Sequence, residues 1–164
     1  TRTARAGYIH GSFWLRLAAG SSLSNAGIMV PMRSAGILIR GTSSHLVIKN
    51  LTATRPYNDG FNLLDCHHVT FENIRAINCG DDGISAHGES RYHVDGFESV
   101  GNATGICDTG HSETSYRRVL IRDCIGFDLY FLDTGRYSIR DATIISTAAR
   151  AIYLQGRESP AEKC

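Results

Sequence analysis

A short motif returns along this chain at a nearly constant interval. Segments starting at Ile48 (IKNLTAT), Phe71 (FENIRAI), Val94 (VDGFESV), Tyr116 (YRRVLIR) and Ile139 (IRDATII) are offset by 23, 23, 22 and 23 residues. Each opens on an apolar residue and places another at its fourth position: Leu51, Ile74, Phe97, Val119 and Ala142. The third position holds Asn50, Asn73 and Asp141, with Gly96 and Arg118 interrupting that polar column. A second register precedes the first in each period. It reads Gly36-Ile37, Gly60-Phe61, Gly83-Ile84, Gly105-Ile106, Gly126-Phe127 and, less cleanly, Ala151-Ile152. A unit this short cannot bury its own apolar face, so successive copies must stack on one another.

Each period therefore holds two short apolar strands separated by Gly, Asn, Asp, Ser and His. No window sustains the 3.6-residue pattern of a helix. Leucine-rich repeats share the length but need a leucine-dense consensus and a helical half, and neither is present. A β-sandwich also has frequent turns, yet its strands need not repeat in register. The pattern predicts an all-β fold, a right-handed parallel β-helix of about six to seven coils, with equivalent strands about 4.8 Å apart along the axis. Leu51, Ile74, Phe97 and Val119 should form one inward stack, and Asn50, in the ladder column, should lie inside. A single domain is expected: residues 1–35 as an irregular first coil or cap, 36–156 as regular coils, and 157–164 as a polar tail. Within the first part, Ser12 to Leu17 and Gly27 to Val30 read as strands.

The formal net charge of +1 leaves no electrostatic footprint for nucleic acid. No stretch is apolar and long enough to insert in a membrane as a helix. Neither partner is expected. Five cysteines are present: Cys66, Cys79, Cys107, Cys124 and Cys164. Cys79 and Cys124 fall at the same place two coils apart, roughly 9–10 Å, too far for a disulfide. Packed, reduced thiols are expected, and no cysteine pair has zinc-type spacing. Asn50-Leu51-Thr52 and Asn102-Ala103-Thr104 match the glycosylation pattern, a weak pointer to secretion.

The chemistry-bearing residues gather in one part of the repeat. Asn58-Asp59-Gly60-Phe61 and Gly80-Asp81-Asp82-Gly83-Ile84 are one period apart, so Asp82 should stack on Asp59 and Asp81 on Asn58. Strand alternation turns Ile84 and Ala86 inward and Ser85 and His87 outward. The neighbouring coils then present Asn62 and Leu64, Cys107 and Thr109, and Asp128 and Tyr130. The outer face of this sheet is expected to carry Asp59, Asn62, Asp81, Asp82, Ser85, His87, Asp128 and Tyr130, with Glu89, His111, Glu113 and Arg136 on the following turns. Carboxyl groups this close cannot all ionise freely, so one should stay protonated near neutral pH. Glycoside hydrolysis needs that arrangement: an acid for the leaving oxygen and a base for water. Asp-Gly pairs are also ordinary turn formers, and such a cluster could hold Ca²⁺. The histidines lack the spacing of a metal site, and no other cofactor is expected.

These motifs resemble the polygalacturonase-type glycoside hydrolases, family 28, whose pattern is Asn-Thr-Asp-Gly followed about one coil later by Asp-Asp. Asn58-Asp59-Gly60 and Gly80-Asp81-Asp82-Gly83-Ile84 match it without the Thr. The resemblance implies a right-handed parallel β-helix, Asp82 or Asp81 as general acid, and Asp59 with the other aspartate activating water. The family's Gly-His-Gly is replaced by Ala103-Thr104-Gly105, and of its Arg-x-Lys only Arg136 remains in Arg136-Tyr137-Ser138. The chain more loosely resembles phage tailspike depolymerases and β-helix polysaccharide lyases and C5-epimerases. That resemblance implies proton abstraction by His87, Tyr130 and Arg136, with Asp82 orienting the histidine. A non-catalytic glycan-binding or structural spike is the third reading, and a homotrimer would accompany it. In all three the partner is a polysaccharide, bound through Asn62, Ser85, His111, Asp128, Tyr130 and Arg136, and the location is extracellular or at a cell or virion surface.

Overall fold

The computed structural model describes residues 5–9, 12–17, 19–22, 24, 29–41 and 43–156. The chain divides into two compact units, Thr1–Val30 and Pro31–Cys164. The first contains an antiparallel hairpin of β1 (Arg5–Ile9) and β2 (Ser12–Arg16). β2 falls on the strand expected from Ser12. The strand expected at Gly27 to Val30 is not borne out at its described end. Gly27 and Ile28 lie outside the described residues, and Met29 and Val30 are exposed coil.

The second unit is a parallel β-solenoid. β3 (Ile37–Arg40), β6 (Phe61–Leu64), β8 (Asp82–His87), β10 (Thr104–Asp108), β12 (Phe127–Leu132) and β14 (Arg150–Gln155) line up as one six-stranded sheet. β4 (Ser44–Lys49), β7 (His67–Ile77), β9 (Arg91–Val100), β11 (Glu113–Arg122) and β13 (Arg136–Ile145) form the other, with β5 (Thr52–Thr54) pairing beside β4 on β7. Every pairing in both sheets is parallel, each coil adding one rung to each sheet. No helix occurs among the described residues.

The polar third position of the repeat is a bend, not an interior ladder. Asn50, Asn73, Gly96, Arg118 and Asp141 all have positive φ, between 52° and 84°. Asn, Asp and Gly tolerate that left-handed region best. It folds each long strand of the second sheet across its middle. Asn50 is consequently exposed, contrary to expectation, and its side-chain oxygen accepts a 3.4 Å hydrogen bond from Asn73. Gly96 is needed twice over, because a Cβ there would lie 2.7 Å from Asn73 Oδ1. A second left-handed column, Asp65, Gly88, Gly110 and Asp133, turns the chain from the first sheet to the second.

Inward residues of the two sheets interdigitate. Ile74, Phe97 and Val119 stack as expected, at 1%, 2% and 3% exposure. Leu51 and Ala142, in the end rungs, are exposed because each has a covering coil on one side only. One inward column reads Ile39, Leu63, Ala86, Asp108, Phe131. Its aspartate is fully buried. Asp108 accepts hydrogen bonds from the hydroxyls of Tyr92 (2.7 Å), Thr114 (2.7 Å) and Tyr116 (2.8 Å) on the opposite sheet. Burial pushes the Asp108 carboxyl up, and the three hydroxyls oppose the shift.

The register also corrects one coil of the sequence alignment. Thr104 pairs with Phe127 and Ile106 with Leu129. Asp128, not Gly126, therefore follows Gly36, Gly60, Gly83 and Gly105 in their column. Asp128 was expected on the outer face, but it is fully buried. The Gly-apolar signature drew the alignment two residues off, while the spacing of about 23 residues continued unbroken from Gly105 to Asp128. Cys124 lies nearby, and burial together with the Asp128 charge pushes its thiol up to about 11.

Candidate functional site

Parallel stacking carries the aspartates to one point. Asp59 ends the turn before β6, and Asp82 opens β8 one rung on. Gly60 N–H donates to the Asp82 carbonyl over 2.8 Å, and Asp81 N–H to the Asn58 carbonyl over 3.1 Å, so both expected stacks form. Asp59, Asp81 and Asp82 each offer a carboxyl oxygen within 4.8 Å of the others. Asp59 and Asp82 are buried, at 2% and 7% exposure, whereas Asp81 is exposed.

The three groups differ in their surroundings. Asp59 is enclosed by donors: the Asp82 N–H reaches one oxygen at 3.2 Å, and the Ser85 hydroxyl at 2.8 Å and the Asn62 carboxamide reach the other. Asn62 also donates to the Ser85 hydroxyl at 3.2 Å, locking the trio. Asp82 is pushed up to about 8, first by burial, then by the charges of Asp81 and Asp59. Hydrogen bonds from Thr104 and Cys107, on the next rung, pull partly the other way. Asp81 is raised as well, by partial burial and by Asp59, with His87 opposing the shift. The cluster thus keeps a proton on Asp82 near neutral pH by desolvation and like-charge proximity.

His87 is half-buried, its Nδ1 3.1 Å from the Thr109 hydroxyl. Tyr130 lies on the outer ladder formed by Asn62, Ser85 and Cys107, rather than beside Thr109 as the sequence frame had it. His111 and Arg136 are not gathered with the aspartates. They line a polar cleft of about 290 Å³ together with Glu89, Arg91, Glu113 and Thr134. His111 Nδ1 meets the Thr134 hydroxyl there. The proposed proton-abstracting set of His87, Tyr130 and Arg136 is therefore dispersed over different columns.

Sequence reasoning put Cys107 on the outer face one coil from Ser85, but it missed Thr104 and the hydrogen bonds of both to Asp82. Their signal was present: both are one repeat on, Thr104 from Asp82 and Cys107 from Ser85. As a cation site the cluster is crowded. Ca²⁺ takes six to eight oxygens, but both Asp59 oxygens already accept hydrogen bonds.

The family model described as right handed beta helix region matches residues 35–163. No curated protein and no solved structure matches the chain.

Proposed function

Because the chain belongs to the right-handed β-helix family, a fold compatible with action on polysaccharides, we propose that it hydrolyses glycosidic bonds of an extracellular polysaccharide. Asp82 is the proton donor. The observation that carries this reading is a carboxyl group pushed up to about 8 beside two other carboxyl groups on the outer face of the solenoid. The acid of a glycosidase must hold its proton at working pH, and such crowding supplies the means.

In the proposed step, the Asp82 proton passes to the glycosidic oxygen as the sugar's C1–O bond breaks. Water adds to C1 and gives its proton to Asp81, the exposed member of the cluster. Asp59 is a positioning residue. It is too enclosed to meet substrate, but it holds the Asp82 backbone and keeps a charge near the Asp82 carboxyl. His87 lies close enough to oppose the shift of Asp81, so it tunes the base. The dispersal of His87, Tyr130 and Arg136 favours hydrolysis over lyase or epimerase chemistry.

The test is a panel of acidic and neutral polysaccharides assayed for new reducing ends and for near-ultraviolet absorption of unsaturated sugars. Hydrolysis predicts reducing ends without that absorption, and a loss of about 10²–10⁴ in rate for Asp82→Asn. Unsaturated products would replace this reading with the lyase one. Polymer binding without any cleavage would leave the non-catalytic role.

A further inference from the structure

Beyond the aspartates, the same outer face changes character. Phe127 and Tyr130 share the rung two steps from Asp82, and Arg150 and Tyr153 share the next. The three rings form one group. Tyr130 and Tyr153 stack with centroids 5.1 Å apart and planes 12° from parallel. Phe127 lies 4.8 Å from Tyr130 and 5.6 Å from Tyr153, tilted against both. All three remain partly exposed.

The direction of the stack matters. The 5.1 Å between Tyr130 and Tyr153 is close to the rung spacing of about 4.8 Å, so these rings lie face to face along the axis. The Arg150 guanidinium lies over the Tyr153 ring, 5.9 Å from its centre. The other face of Tyr130 is turned toward the rung of Cys107, on the side of the aspartates. The rung between Tyr130 and Asp82 carries the buried Thr104 and the half-buried Cys107, two small side chains. The result is a low step over one rung, with an aromatic wall at one end and the Asp82 proton at the other.

We infer that this step is a sugar-binding subsite, in which a pyranose ring lies over Thr104 and Cys107 against that face of Tyr130. A pyranose presents a face of C–H groups, which packs on an aromatic face while its hydroxyls stay in water. Phe127 braces Tyr130 from the side, and the Tyr153–Arg150 pair backs it, so the wall is fixed before the sugar arrives. The subsite rests on the polysaccharide reading and sets the polymer's direction: it runs along the solenoid axis, passing from Tyr130 across Asp82.

The experiment measures binding in the Asp82→Asn background, with polygalacturonate, alginate and dextran as probes, by calorimetry and affinity electrophoresis. Tyr130→Phe keeps the ring and should keep the affinity. Tyr130→Leu removes it and should weaken binding of the recognised polymer by roughly tenfold, the scale of one aromatic contact. Cys107→Leu fills the step and leaves the ring untouched, so it should weaken binding equally. Unchanged melting temperatures identify which variants are folded, and either Leu variant suffices. Equal affinity in the folded Leu variants, with the polymer still bound, overturns the subsite and leaves hydrolysis standing. Failure of both wild type and Asp82→Asn to bind or cut any of the three polymers overturns the polysaccharide reading and the subsite together.

Discussion

Asp82→Asn should make the stability of this protein less dependent on pH, and the effect can be sized from the site. The folded carboxyl is pushed up to about 8 by burial and by Asp81 and Asp59. In the unfolded chain an aspartate titrates near about 3.9. Between these values the folded state holds a proton that the unfolded state has released. Unfolding therefore releases a proton, and its free energy falls as pH rises, by up to about 1.4 kcal/mol per unit. Across a window of about four units the loss is on the order of 5 kcal/mol. The contribution is fully present below about pH 4 and gone above about pH 8. Asparagine keeps the shape and carries no titrating proton. Urea unfolding of both proteins at several pH values should show the variant gaining on the wild type through this window and no further above it. A stability difference that stays flat from about pH 5 to about pH 9 would refute a protonated Asp82 and, with it, the assignment of the acid.

The same group predicts an activity profile: cleavage should fall by about tenfold per unit above pH 8 as the acid loses its proton, read as initial rates of reducing-end release. Cys66, Cys79 and Cys124 should label with a thiol reagent on denaturation without prior reduction, and slowly in the native state, where burial pushes Cys79 up to about 12 and Cys124 up to about 11. Asp128→Gly should raise the urea midpoint, because it removes a fully buried carboxyl group and restores the glycine of the other rungs. The net gain is about 1 kcal/mol after the entropy cost of glycine. Asp108→Ala should lower stability by about 3 kcal/mol, since three buried hydroxyls lose their acceptor, and thermal melting will measure it.

Features that repeat along the axis were legible in the sequence, and features that reach across the coil were not. The interval from Asp59 to Asp82 placed two carboxyl groups on adjacent rungs because parallel pairing preserves sequence spacing. The same logic put Ile74, Phe97 and Val119 in one column, and Cys79 and Cys124 two rungs apart. It failed where one residue type serves two purposes. Asparagine in the third position reads as an interior ladder, but it also suits a left-handed bend, and the bend exposes Asn50. Gly126 reads as the repeat glycine, but the register gives that place to Asp128. Contacts across the coil leave no periodic trace at all. Asp108 meets Tyr92, Thr114 and Tyr116 from the opposite sheet at sequence separations of 16, 6 and 8 residues, none of them the repeat. The aspartate cluster joins both kinds of relation. Its members come together by the repeat, while the burial that keeps Asp82 protonated comes from packing that spacing alone does not encode. A solenoid can thus vary its chemistry by changing one rung, since each rung touches only its neighbours. Here one outer column runs from the acidic Asp82, through the small Thr104, to the aromatic Phe127, three unlike side chains set one repeat apart.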